Sequence, residues 1–213
     1  MQGLLALLLF PPAGTFRYWQ GWGFWSVSFL FPLLLAILFY KRDPQLLERR
    51  LLRKETVPEQ KRLIHLGKFL SLPAYLLPGF DQRLGWSRKW TGPVPGWLTL
   101  LALLGILGTY ILLLWVMNTN RFAASVIQVE AGQRVITDGP YRLVRHPMYL
   151  GFVAAWLLTP LALGSFVTTP AFLPLIPLLI FRLLNEEKIL RRELASYPEY
   201  CARTRHRLIP FVW

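Results

Sequence analysis

From Trp19 to Tyr40 the chain carries no charged residue, while Arg17 precedes the run and Lys41-Arg42 come after it. The hydrocarbon core of a bilayer, about 30 Å thick, takes roughly 20 apolar residues of helix to cross. In that layer every backbone amide and carbonyl must be satisfied internally, so such a run is committed to helix. Comparable segments run from about Leu63 to Phe80, with His65 and Lys68 near one end, and from Gly96 to Met117. A fourth and a fifth share Met148 to Leu184 and read as a hairpin broken near Gly164-Ser165. Pro160, Pro170, Pro174 and Pro177 lie in that hairpin, where neighbouring helices can satisfy the freed carbonyls. Residues 1–13 are apolar but too short to span, and are expected to form a short membrane-dipping helix packed against the rest or the remnant of a longer first helix. The reading is an all-α polytopic membrane protein, a single domain over 1–213 with about five transmembrane helices.

Charge fixes the expected topology. Only 16% of residues are charged, against about 25% in soluble domains, yet the net charge is +13. Oily and basic together exclude an ordinary soluble enzyme, a disordered tail and a typical DNA-binding domain. Lys and Arg number eight in 41–62, four in 118–147 and six after Leu184; Arg17, Arg83, Arg88 and Lys89 lie on the other side. The positive-inside rule places the three richer segments in the cytoplasm, against anionic lipid headgroups. No recognition motif accompanies the charge, so nucleic acid is not an expected partner. Residues 44–62 read as an amphipathic surface helix with Leu46, Leu47, Leu51 and Leu52 on its lipid side. One cysteine, Cys201, excludes a disulfide framework, and no second histidine stands at metal-ligand spacing. No metal site is expected.

Two blocks carry candidate chemistry. In TDGPYRLVRHPMYLG (137–151), Asp138-Gly139-Pro140 signals a turn and Pro147 suits the first position of a helix, placing His146 at its N-cap. The free amides there favour an anionic group. An interfacial belt of Arg, His and Tyr accounts for the same residues. In FRLLNEEKILRRELASYPEYCARTRHRLIPFVW (181–213), Arg182 and Glu186 share a helix face, so they address one site or pair with each other. Glu186-Glu187 are acids where bases otherwise prevail, with a solvated helix face that pairs Glu187 with Arg191 as the bland alternative. Because the helix starting at Pro147 and the helix ending near Glu187 form one hairpin, the blocks meet at its cytoplasmic end. A mixed-charge pocket there, open sideways to the bilayer, suits a water-soluble cofactor meeting a lipid-soluble substrate.

The runs GPYRLVRHPMYLG, RLLNEEKIL, SYPEY and RLIPFVW resemble the isoprenylcysteine carboxyl methyltransferase family, and RDPQLLERR and GFDQRLGWS resemble its bacterial membrane-methyltransferase branch. The resemblance implies a bacterial inner-membrane enzyme with its site facing the cytoplasm, its catalytic region over about 118–213, and S-adenosylmethionine as methyl donor. No GxGxxG comes after a strand, so a soluble Rossmann methyltransferase is not indicated. Carried over by position, Gln128, Gln133, Arg134, Val135, Ile136, Tyr141, His146, Pro147, Met148, Tyr149 and Glu186 would line the cofactor site. Arg182 would touch the carboxylate of a lipophilic acceptor entering from the bilayer. A carboxylate is already ionised at pH 7 and needs no base. For an amine acceptor, as in a phospholipid-type N-methyltransferase, Glu187 or Tyr149 would take the proton. A sterol-reductase-like enzyme of similar membrane architecture is the other reading, with Arg142, Arg145 and Arg203 holding the ribose phosphate of NADPH.

Overall fold

The structure, a computed structural model, describes residues 2–44, 46, 48, 55, 57–120 and 134–213; all the regular secondary structure among them is helical. In chain order the elements are α1 (Gln2–Ala13), α2 (Trp19–Phe39), α3 (Pro58–Leu84), α4 (Trp86–Trp90) and α5 (Gly96–Thr119). A 3-10 turn (Gly139–Arg142) comes next, then α6 (Pro147–Ala162), α7 (Thr169–Phe172), α8 (Leu175–Glu193) and α9 (Tyr197–Arg203). Among the described residues three segments are long and apolar enough to cross a membrane: Trp19–Phe39, Gly96–Thr119 and Thr169–Glu193. The chain is an all-helical integral membrane protein.

The other two expected spans differ from these three. With 16 residues, α6 is about 24 Å long. The 27-residue α3 has the length, but it carries Glu59, Lys61 and Arg62 at its start, Lys68 within, and Asp81 and Arg83 at its end. It begins at Pro58, not at Leu63. Consequently the surface helix expected over 44–62 is not continuous: Val57 is extended, because the proline ring disfavours helical backbone in the preceding residue. Leu46 is buried against Leu35, Phe39 and Met117 instead of facing lipid. Leu47, Leu51 and Leu52 lie outside the described residues.

Small residues set the packing that positions the hairpin. A Cβ on Gly151 of α6 would stand 3.3 Å from Leu113 of α5, and one on Gly105 of α5 would stand 2.7 Å from Leu158 of α6. The two helices therefore approach with side chains of one seated on glycines of the other. Gly151 thus admits the Leu113 side chain of α5. Likewise a Cβ on Gly79 would meet the Leu9 carbonyl at 2.5 Å, so α1 lies directly on α3. Leu9, Phe10 and Ala13 of α1 are buried in one cluster with Tyr18, Ile106 and Leu163.

The break in the hairpin falls at Gly164, in the left-handed region at φ 71°. Tyr18 secures it by donating its hydroxyl to the Leu163 carbonyl at 2.7 Å. Asp81 secures the same end, accepting from the Ser87 amide (2.7 Å), the Ser87 hydroxyl (2.5 Å) and the Ser165 hydroxyl. Nearness in sequence would pair Asp81 with Arg83 or Arg88 in a solvated loop. It is instead buried, because its place on the last turn of α3 turns it toward the hairpin break. GFDQRLGWS is thus a clasp: Gly79 admits α1 and Asp81 holds the α6–α7 turn.

Candidate functional site

His146 is the N-cap of α6 and Pro147 is in its first turn, as the proline predicts. At the facing end of the hairpin, α8 runs to Glu193. The C-terminal segment then folds back over both ends. The Arg145 and His146 amides donate to the His206 and Arg207 carbonyls at 2.9 Å each, so the loop before α6 and the tail are paired backbone to backbone.

Glu187 is the hub. Its side chain is 5% exposed; Oε1 lies 2.8 Å from Arg145 Nε and 3.3 Å from His146 Nε2, and Oε2 accepts from Arg207 Nε at 3.0 Å. These contacts join α8, the α6 cap and the tail at one carboxylate. Trp213 completes the roof, its ring 5.2 Å from the Arg207 guanidinium carbon. A buried carboxylate is tolerable only when paired and hydrogen-bonded, and here both oxygens are. One residue earlier, Glu186 faces elsewhere: Tyr149 of α6 donates its hydroxyl to Glu186 Oε2 at 2.7 Å. Adjacent acids on α8 therefore serve different neighbours, since successive helix positions point about 100° apart.

Arg182, one turn before Glu186, lies between these groups and an apolar region. Its Nη2 is 3.6 Å from Glu55 Oε2, with the two side chains 17% and 4% exposed. Arg182 also lines a pocket of about 150 Å³ with Leu63, Ile64, Gly67 and Ser71 of α3, Trp156 of α6, and Leu175, Leu178 and Leu179 of α8. Gly67 and Ser71 are shared with a cavity of about 960 Å³ bounded by α1, α2, α3 and α5, whose walls include Leu5, Phe24, Phe31, Leu72 and Tyr75. An arginine thus stands at the end of an apolar pocket, and α3 separates that pocket from a much larger apolar space.

Tyr141 sits on the roof side. Its hydroxyl accepts from Asn120 Nδ2 at 2.9 Å, and its carbonyl accepts from the Tyr200 hydroxyl at 2.8 Å. Val135 and Tyr141 pack on Leu194, Tyr197, Tyr200 and Cys201. Burial raises the Tyr197 and Tyr200 phenols above their ordinary value. Tyr141, His146, Pro147, Met148, Tyr149, Arg182, Glu186 and Glu187 all lie on the paired ends of the hairpin and their cover. Arg134 is exposed, Val135 and Ile136 are half-buried, and Gln128 and Gln133 lie outside the described residues.

Sequence reasoning missed Arg207, Glu55 and Asn120. Arg207 is one of 24 basic residues and carries no spacing signal. Glu55 lies far from Arg182 in sequence, and no periodicity connects them. Arg145 and Arg203, considered for a phosphate, have separate carboxylate partners: Arg145 is buried on Glu187, while Arg203 is exposed and bonded to Glu199 at 2.6 Å. Among the described residues no cluster of His, Cys, Asp and Glu could hold a metal ion.

The chain is similar to known proteins over part of its length. Over 90 residues, 41% of the chain, it is 32% identical to the delta(14)-sterol reductase of Mus musculus, and the match spans 22% of that protein's length. Residues 100–192 match a family model from the second turn of α5 to the last turn of α8, a stretch that contains the α6 cap, Tyr149, Arg182 and the Glu186-Glu187 pair. The model matched over that stretch is that of the isoprenylcysteine carboxyl methyltransferase (ICMT) family, to which this part of the chain is similar.

Proposed function

We propose that this chain is a membrane methyltransferase that moves a methyl group from S-adenosylmethionine to the carboxylate of a lipophilic acceptor arriving from the bilayer. The observation that carries the reading is a coincidence of place. The family's domain contains a helix start, the half-buried Glu186 and the arginine at the end of an apolar pocket, all at one end of one hairpin. The charge of the loops favours the cytoplasm for that end.

The residues present fit the donor. At the α6 start the His146 side chain makes no capping bond, and the positive end of the helix dipole there favours a carboxylate. Glu186 favours an ammonium or sulfonium, and the faces of Tyr141 and Tyr149 attract a cation. The Tyr197 hydroxyl is buried with no hydrogen-bond partner among the described residues, a donor kept for something else. His146, Pro147, Met148, Tyr149, Glu186 and Tyr141 would hold the cofactor, and the family resemblance adds Gln128 and residues 133–136 to that set. When bound, it supplies an electrophilic methyl group.

The chain's own task is placement. Arg182 aligns the acceptor carboxylate with its planar, two-pronged guanidinium. That carboxylate is ionised at pH 7, so no proton has to move. Orientation of two bound reactants in a space closed to water accounts for several kcal/mol of barrier, up to about 7–11 in well-aligned systems. Glu187, with both oxygens engaged by cations, serves this reaction by fixing His146, Arg145 and Arg207 in place. The neighbouring apolar pocket and cavity suit an acceptor with a long hydrocarbon part.

Isothermal calorimetry with S-adenosylhomocysteine is the direct test: the wild type binds, while Glu186→Ala and His146→Ala do not. Wild-type affinity in both variants would sink the site. Incubation with radiolabelled S-adenosylmethionine and a lipid extract then identifies the acceptor and separates O- from N-methylation. The similarity to a sterol reductase motivates one control, competition by NADPH, which is expected to be absent because Arg145 and Arg203 are engaged apart from each other.

A further inference from the structure

Arg182 already faces a carboxylate. Glu55, in the segment before α3, is 7% exposed, and its Oε2 lies 3.6 Å from Arg182 Nη2. Its other oxygen accepts from the Val57 amide at 3.3 Å, which orients the carboxylate from the chain side. Among the described residues that line the apolar pocket between α3 and α8, Arg182 alone is charged. A guanidinium there is stable only with an anion beside it, since an unpaired buried charge is strongly disfavoured. We propose that Glu55 is a specificity-determining residue: its carboxylate occupies the acceptor's place on Arg182, and an acceptor enters by exchanging its own carboxylate for it. The inference rests on the reading of Arg182 as the acceptor's anchor.

Exchange selects by charge. An incoming carboxylate replaces one anion with another, so the charge balance at the half-buried arginine is kept. A neutral ester or alcohol of the same chain length has nothing to exchange and leaves the Glu55–Arg182 pair closed. The methyl ester formed by the reaction is such a neutral species, so Glu55 returns to Arg182 and helps release the product. The same pair keeps the pocket neutral between turnovers.

The test uses the full chain in detergent and a fluorescent sixteen-carbon carboxylic acid, with its methyl ester as control. Glu55→Gln is expected to bind the acid at least tenfold more tightly than wild type and the ester unchanged. The gain disappears in the double variant Glu55→Gln/Arg182→Gln. Glu55→Asp, which keeps the charge but shortens its reach, falls between, and carries the test if Glu55→Gln does not fold. Unchanged or weaker acid binding in these variants overturns the proposal. So does a sixteen-carbon amine whose binding is lost in Glu55→Gln, which would make Glu55 a ligand for a cationic acceptor. Binding of S-adenosylhomocysteine is measured alongside; its absence from wild type would defeat the methyltransferase reading, while the acid titration still decides the exchange at Arg182.

Discussion

Arg145 and Glu187 are joined across the mouth of the hairpin, Nε to Oε1 at 2.8 Å, with both side chains 5% exposed. The pair fastens the loop before α6 to α8, and Arg207 fastens the tail to the same carboxylate. Removing one partner of a buried ion pair costs about 3–5 kcal/mol, because the survivor is left charged and unpaired. Glu187→Ala is therefore expected to lower the melting temperature in detergent by about 6–20 °C. Lys188→Ala, at the exposed neighbouring position, is expected to stay within about 0.5 kcal/mol of wild type. Equal melting of both variants would contradict the hub.

Tyr149→Phe separates the two acids. The Phe ring keeps the packing against Val153, Leu179, Leu183 and Leu208, while the 2.7 Å bond to Glu186 is lost. A hydrogen bond to a charged group contributes about 1.5–3 kcal/mol, so S-adenosylhomocysteine affinity is expected to fall by about tenfold to a hundredfold. Thermal stability without ligand should fall less than in Glu187→Ala, since the bond lost is about 1.5–3 kcal/mol against about 3–5 for the buried ion pair. Calorimetry and melting curves on the same samples check both halves.

Much of this arrangement is legible in the residues, for identifiable reasons. Long uncharged runs leave helix as the only option, and Pro147 marks a helix start wherever it stands, so the hairpin and its His146 cap come from local rules. What local rules cannot supply is the partner of a polar group. Helical spacing pairs Glu187 with Arg191 one turn away, yet its partners come from the loop before α6 and from the tail. Nearness in sequence pairs Asp81 with arginines, yet it bonds Ser87 of α4 and Ser165 at the hairpin break. In both cases a buried acid satisfies itself through tertiary contacts that no spacing records. Length misleads in its own way: α3 begins ahead of its apolar stretch because Pro58 starts a helix even where charged residues come next.

Gly67 offers a test of how the acceptor's hydrocarbon part is housed. It borders both the small pocket at Arg182 and the large cavity, and a Cβ built on it meets nothing within 4 Å. Gly67→Ala should stabilise the fold by up to about 1 kcal/mol through helix propensity. Gly67→Trp should fill the space beside Ser71 and abolish labelling of long-chain acceptors, with S-adenosylhomocysteine binding unchanged. Labelling of the same lipid species by Gly67→Trp and by wild type would place the hydrocarbon part elsewhere.

Tyr197 gives a prediction with two readouts of opposite sign. Its hydroxyl is buried and has no hydrogen-bond partner among the described residues, so Tyr197→Phe removes a desolvated polar group and leaves the ligand-free fold as stable as wild type or more so. The proposed function reserves that hydroxyl for the cofactor, and the same variant should then bind S-adenosylhomocysteine more weakly. pH adds a third check. Burial holds the folded-state phenol above the ordinary value near 10, so the unfolded chain releases this proton first. The contribution is intact below about pH 10 and is lost as pH rises above it toward the folded-state value. Wild type should therefore lose melting temperature more steeply than Tyr197→Phe between about pH 9.5 and 11. Parallel curves would show that the Tyr197 phenol is not held in a buried environment.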